Sequence, residues 1–233
     1  MATIAGNLQA VKARIGRAAG AARRDPAVVT LLAVSKTHPV ALIEEALAAG
    51  QKAFGENYVQ EAIKKMDALN AGLQAAAGIE WHLIGPLQSN KTRLAAERFD
   101  WVQTITSEKI ARRLSEQRPA GLPPLNVLIQ VNASGELSKS GVRPEEAVAL
   151  SRAISSLKSL RLRGLMAIPE PGAPRARFGG IRVLFEKLKS EFAFDTLSMG
   201  MSDDMEAAIA EGATLVRIGT AIFGQRNKVK SAA

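Results

Sequence analysis

Cysteine is absent from all 233 residues, which removes disulfides, thiolate metal centres and cysteine nucleophiles together. The absence also suits a reducing compartment, and the chain is read as cytoplasmic. Histidine is almost as scarce. His38 and His82 are the only two, they have no His-x-x-x-His spacing, and no metal is expected. Long apolar runs are missing as well. The first twenty residues lack the continuous hydrophobic stretch of a secretory signal, and no segment approaches the ~18 apolar residues of a membrane span, so no membrane partner is expected.

Acidic residues are in the minority, 22 against 31 Lys and Arg, for a formal net charge of +9. Such a balance raises nucleic acid or an anionic surface as partners. The cations are scattered, however, at Arg14, Arg17, Arg112, Arg113, Arg161, Arg163, Arg175, Arg177 and Lys228, and no run of five occurs. With two Trp and one Tyr there is little to stack on bases. The plain reading is a basic solvated surface that also attracts small anions, and no nucleic-acid partner is expected.

What the chain does have is a 47% hydrophobic composition in an alternating order of elements. Ile4, Leu8, Val11 and Ile15 are spaced four, three and four residues apart, the stripe of an opening helix. Short apolar or β-branched runs follow at residues 29–35, 53–55, 81–85, 101–105, 125–132, 160–168, 196–200 and 215–219. Helical patterns lie between them, at 39–49, 57–69, 91–98, 107–117, 144–157, 179–192 and 203–211. Pro39 suits a first helical position and Gly50 a stop. Eight strands, nearly all leading into a helix, predict a single α/β domain over residues 1–233. Its form is a (β/α)₈ barrel with an extra N-terminal helix. The rival, an open doubly wound sheet, usually carries fewer strands, and no Gly-x-Gly-x-x-Gly follows the first strand.

A barrel works at the carboxyl ends of its strands. There the chain places Ser35-Lys36-Thr37-His38, Gly55-Glu56-Asn57, His82-Leu83-Ile84-Gly85-Pro86, Ser198-Met199-Gly200-Met201-Ser202 and, after Arg217, Gly219-Thr220. Lys36 follows the apolar run Leu31-Leu32-Ala33-Val34 with only Ser35 between, and a partly desolvated amine at a barrel mouth is suited to attack on a carbonyl. A solvated lysine at a strand end is the plainer reading of position alone. Ser202 reads as the N-cap of a helix over 203–211, and Gly219-Thr220 opens another short turn. Two turns of this kind after strands seven and eight suit a phosphate. Together with Lys36 they describe a site for a phosphorylated carbonyl compound held as an imine. Asp203 and Asp204 are ordinary first-turn acids.

At these residues the chain resembles the pyridoxal phosphate homeostasis proteins of the YggS/PROSC type, whose barrel is shared with the N-terminal domain of alanine racemases. The matching stretches include Ala33-Val34-Ser35-Lys36, Phe54-Gly55-Glu56-Asn57-Tyr58 and Trp81-His82-Leu83-Ile84-Gly85-Pro86. Further on come Gly164-Leu165-Met166-Ala167, Met199-Gly200-Met201-Ser202-Asp203-Asp204 and Val216-Arg217-Ile218-Gly219-Thr220. They run in family order along nearly the whole chain. The resemblance implies pyridoxal 5′-phosphate (PLP) as cofactor, held as a Schiff base on Lys36. It assigns Ser202, Gly219 and Thr220 to the phosphate with the Met201 backbone beside them, Arg217 to the pyridine nitrogen, and Asn57 and His82 to the pocket lining. Many relatives carry lysine where this chain has His38; Lys139 resembles another family lysine.

The resemblance also separates a carrier from an enzyme. The chain ends soon after the eighth strand, so the racemases' C-terminal β-domain and its catalytic tyrosine are not expected, and the one tyrosine here is Tyr58. Proton transfer on both faces of a carbon needs two positioned groups, and only Lys36 is evident. An arginine beside the ring nitrogen disfavours its protonation and weakens the ring as an electron sink. The expected role is therefore binding and homeostasis of PLP without amino-acid turnover, with PLP-dependent apo-enzymes as partners and a monomer as the state. A slow PLP-dependent racemase is the alternative.

Overall fold

The computed structural model describes residues 3–72, 78–133, 140–170, 172 and 175–225. Eight parallel strands close into a barrel in sequence order: β1 (Thr30–Val34), β2 (Ala53–Glu56), β3 (Glu80–Leu83), β4 (Trp101–Ile105), β5 (Leu125–Val131), β6 (Leu160–Ala167), β7 (Thr196–Ser198) and β8 (Leu215–Ile218). Closure is made by β1 on β8, with Thr30 opposite Leu215 and Ala33 opposite Ile218. The expected (β/α)₈ architecture is the one observed.

The helices are α1 (Ile4–Ala21), α2 (Val40–Ala48), α3 (Val59–Gly72), α4 (Thr92–Arg98), α5 (Glu108–Gln117), α6 (Ala147–Ser155), α7 (Arg175–Phe192), α8 (Met205–Ala210) and α9 (Thr220–Phe223). The extra N-terminal helix, α1, is capped by Thr3, whose Oγ1 accepts from the Gly6 N–H at 3.1 Å. Ile4, Leu8, Val11 and Ile15 are all buried, as their spacing predicts. They pack α1 beside α2, α8 and α9, which brings it next to the loops after β7 and β8.

Strand alternation divides the core. Val216 and Ile218 of β8 join the large cluster between strands and helices, whereas Leu215 packs with Leu32, Val34, Ala53 and Ile84 in a separate cluster inside the barrel. Trp101, Leu128 and Met166 form a second interior cluster. Buried polar side chains fill much of the remainder: His82, Gln103, Ser198 and Arg217.

Several boundaries differ from expectation, among them three helix starts. Pro39 is the N-cap of α2 rather than its first residue. α7 begins at Arg175, four residues ahead of the expected start at Gly179. α8 begins at Met205, so Ser202 does not cap it; the N-cap is Asp204.

Candidate functional site at the barrel mouth

At the carboxyl ends of β1, β2, β7 and β8 a cavity of about 240 Å³ is lined by Lys36, Asn57, Met201, Ser202, Arg217, Gly219 and Thr220, with Val34, Ile84, Ile168 and Asp203 completing the wall. Seven of the eight residues singled out in the sequence thus share one cavity. The exception is His82, which is fully buried inside the barrel and is not among the lining residues. It lies two positions from Glu80 on the inward face of β3, where alternation turns its ring into the barrel interior.

Lys36 stands on a braced bend. Thr37 has φ of 65°, a conformation unfavourable to a β-branched residue, and the surroundings hold it there. The Thr37 N–H donates to Glu61 Oε1 at 2.6 Å. Ser35 Oγ donates to Glu56 Oε1 at 2.6 Å. Lys65, a buried lysine of α3, links the two: its Nζ donates to the Ser35 carbonyl at 2.8 Å and to Glu56 at 2.7 Å, and pairs with Glu61 at 2.6 Å. Burial pushes the Glu56 carboxyl up, opposed by the nearby ammonium of Lys65. His38 is buried with its ring 5.2 Å from that of Phe223 in α9.

Asn57 is set by contact with Gly85, where a side-chain carbon would come within 2.2 Å of the Asn57 carbonyl oxygen. Only glycine fits that crossing.

The opposite wall turns on Gly200, with φ of 97°. Its carbonyl accepts from the Arg217 N–H at 2.9 Å, tying the β7 loop to β8. The Met201 N–H, expected beside a phosphate, donates instead to Asp204 Oδ1 at 2.5 Å, so at Met201 the cavity gains lining but not that donor. The Ser202 carbonyl accepts from Arg14 Nη2 at 3.1 Å, and Arg14 is held in turn by Glu206. Gly219 lies close against Val34, where a side-chain carbon would sit 3.2 Å from the carbonyl oxygen.

Arg217 is 4% exposed. Its Nη1 donates to Ser198 Oγ at 2.8 Å and its Nη2 to the Ala167 carbonyl at 2.9 Å. Burial lowers its pKa to about 10, which leaves it a cation at neutral pH. Tyr58 is 58% exposed and is not part of the cavity wall. Lys139 lies outside the described residues. Among the described residues no group of three or more His, Asp or Glu is placed to hold a metal, and no helix is long and apolar enough to cross a membrane.

The residues that brace the site, Arg14, Glu56, Glu61 and Lys65, were not foreseen as a group. Glu61 and Lys65 are an i,i+4 pair, a signal the sequence does carry, but one equally usual on a solvated helix face.

The closed eight-stranded barrel falls in the family of the alanine racemase N-terminal domain, whose model matches residues 6–227. Within it, the chain belongs to the pyridoxal phosphate homeostasis protein family. It is 60% identical over 231 residues to the protein of that name from Pseudomonas aeruginosa, covering 97% of each chain. The Escherichia coli (strain K12) protein of the same name is 55% identical over 235 residues, covering 99% of this chain and all of that one. The solved structure of PipY from Synechococcus elongatus PCC7942 with PLP bound superposes with a TM-score of 0.77 at 38% identity, over 90% of this chain and 100% of that one. Alanine racemase from Corynebacterium glutamicum shares the fold, with a TM-score of 0.71 at 18% identity; the match spans 99% of this chain and 62% of the racemase.

Proposed function

We propose that this chain binds PLP in the barrel-mouth cavity, held as a Schiff base on Lys36, and serves PLP homeostasis without turning over amino acids. The observation that carries the reading is the convergence of an amine, two hydroxyls and a buried cation on one cavity of about 240 Å³. That donor set fits PLP: an amine for its aldehyde, hydroxyls for its phosphate, and a fixed positive group for its ring nitrogen. The names of the relatives and the PLP-bound PipY structure support the same assignment.

When bound, the cofactor supplies a carbonyl carbon for imine exchange and an electron-accepting ring. The rest falls to the chain. Lys36 would supply the amine for the aldehyde of a bound PLP, and the braced bend places that residue in the cavity wall. Ser202 and Thr220 hydroxyls and the Gly219 backbone hold the phosphate, and Arg14 fixes the loop that carries Ser202. Arg217, a donor with no lone pair to offer, keeps the ring nitrogen unprotonated and so limits the ring as a sink. Asn57 lines the pocket; His82 acts from behind it. Beyond Lys36, the titratable groups of the wall are Arg217, which does not accept a proton, and Asp203, which is exposed at the rim. Among the described lining residues a second base for racemisation would have to be Asp203, and its exposed position supports binding over turnover. PLP-dependent apo-enzymes are the proposed recipients, and the chain is proposed to work as a cytoplasmic monomer.

Titration of the apo-protein with PLP, followed by absorbance, tests the phosphate placement. Ser202→Ala is expected to weaken binding by about 1 kcal/mol, roughly fivefold in Kd, through one lost anion contact. An unchanged Kd contradicts the assignment. Turnover of D- or L-alanine that disappears in Lys36→Ala would favour the enzyme reading instead.

A further inference from the structure

Arg217 is connected to the far side of the barrel by hydrogen bonds whose direction is dictated from one end. A guanidinium can only donate. Ser198 Oγ accepts from Arg217 Nη1, so its own hydrogen goes to Gln103 Oε1 at 2.7 Å. That places the Gln103 amide nitrogen against His82 Nδ1 at 2.8 Å. Nδ1 must then accept, the ring's single proton sits on Nε2, and Nε2 donates to Glu80 Oε1 at 2.7 Å. With every buried group of the series paired, the arginine at one end and the carboxylate at the other, which can only accept, together set hydroxyl rotor, amide orientation and tautomer.

The series crosses the barrel interior, from β8 and β7 to β4 and β3. Ser198, Gln103 and His82 are each 0% exposed. His82 is also clamped by stacking on Trp101, at 5.0 Å and 9°, with the Arg163 guanidinium 4.8 Å from the outer face of that indole. Reversal is costly. A second proton on His82 would set two donors face to face at Gln103. Turning the amide to relieve that clash would leave the buried Ser198 hydroxyl hydrogen without its acceptor.

We propose that Glu80, His82, Gln103 and Ser198 are positioning residues for Arg217, forming a one-way relay that fixes the guanidinium against the cavity and sets the hydrogen bond it offers to the ring of a bound ligand. The part of this concerning the ring rests on the PLP reading above. The carboxylate whose charge acts on Arg217 is Asp204, so the relay's contribution is to orientation rather than to charge balance.

The test uses the full chain and two readouts. The first needs no ligand: hydrogen exchange of the Arg217 side-chain N–H groups by NMR, assigned by their loss in Arg217→Lys. The second is the nitrogen resonance of PLP labelled with ¹⁵N in the ring, together with its Kd. His82→Phe, which keeps an aromatic ring and lies outside the cavity, and Ser198→Ala are each expected to speed the exchange by about tenfold. They should also raise Kd about fivefold and move the ring nitrogen toward the shift of a pyridine that accepts no hydrogen bond. Ser198→Thr, which retains the hydroxyl, should restore all three. Variants with lower Tm but wild-type exchange, Kd and shift would overturn the proposal, because the series would then only satisfy buried polar groups. Failure of the wild type to bind PLP would count against the cofactor reading alone, and the exchange readout would still decide the relay.

Discussion

Lys65 illustrates how much of a site's geometry one residue outside it can hold. Its side chain is 7% exposed and its ammonium lies against Glu56, whose side chain is 0% exposed and has its second carboxylate oxygen unpartnered among the described residues. Lys65→Met would strand that carboxylate and release the Ser35 carbonyl. We expect a loss of about 3–5 kcal/mol in urea unfolding, as for other broken buried pairs, and partial recovery when Glu56→Gln is added. If the single variant is as stable as the wild type, the bracing of Lys36 has been misassigned. Lys36 itself was legible because an apolar strand run ends two residues before it. Lys65 was not, because Lys64 and Lys65 adjoin on one helical pattern, and which of them turns inward depends on how α3 docks against β2.

At the scale of elements, strand order and helix faces were readable from apolar periodicity, and closure followed from the count of eight. The loops were less so. Ser202, Asp203 and Asp204 are all competent caps, and sequence gives no way to choose among them; the choice falls on Asp204, which reaches back to the Met201 N–H and delays α8 by two residues. The exclusion of His82 from the cavity has the same origin. Motif position puts it near the mouth, but the parity of β3, with Glu80 and His82 on one face, turns it inward. Gly85 marks where one such loop is fixed by contact. Gly85→Ala should cost about 3 kcal/mol, because the Asn57 backbone blocks the added carbon. Gly16→Ala in α1, where no neighbour lies within 4 Å, should gain about 0.5–1 kcal/mol. Thermal unfolding of the two variants checks both signs, and equal effects would contradict the close approach.

For the whole molecule, the excess of positive charge is spread around the barrel. Many arginines are paired across its surface, such as Arg152 with Glu191 and Arg177 with Glu170, which suits a basic solvated exterior. Stability against pH is set by buried groups. Burial holds His82 below its ordinary value of 6.5, opposed by Glu80. The unfolded chain therefore binds a proton on this residue more readily than the folded one. Its contribution to stability is present above pH 6.5 and is lost as pH falls below 6.5 toward the depressed folded value. Glu56, raised above 4.5, works in the opposite sense, so the wild-type profile is composite. The difference between wild type and His82→Phe isolates the histidine: the variant's stability should fall less steeply between pH 6.5 and 5, and parallel profiles would contradict a neutral buried imidazole.

The central claim is a covalent, reducible attachment of PLP to one lysine. The most direct measurement is peptide mapping by mass spectrometry after PLP loading and borohydride reduction. A pyridoxyl adduct is expected on Lys36, with loss of the visible absorption band on reduction and no adduct in Lys36→Ala. A protein that takes up no PLP, or one whose adduct sits at full yield on another lysine, would contradict it.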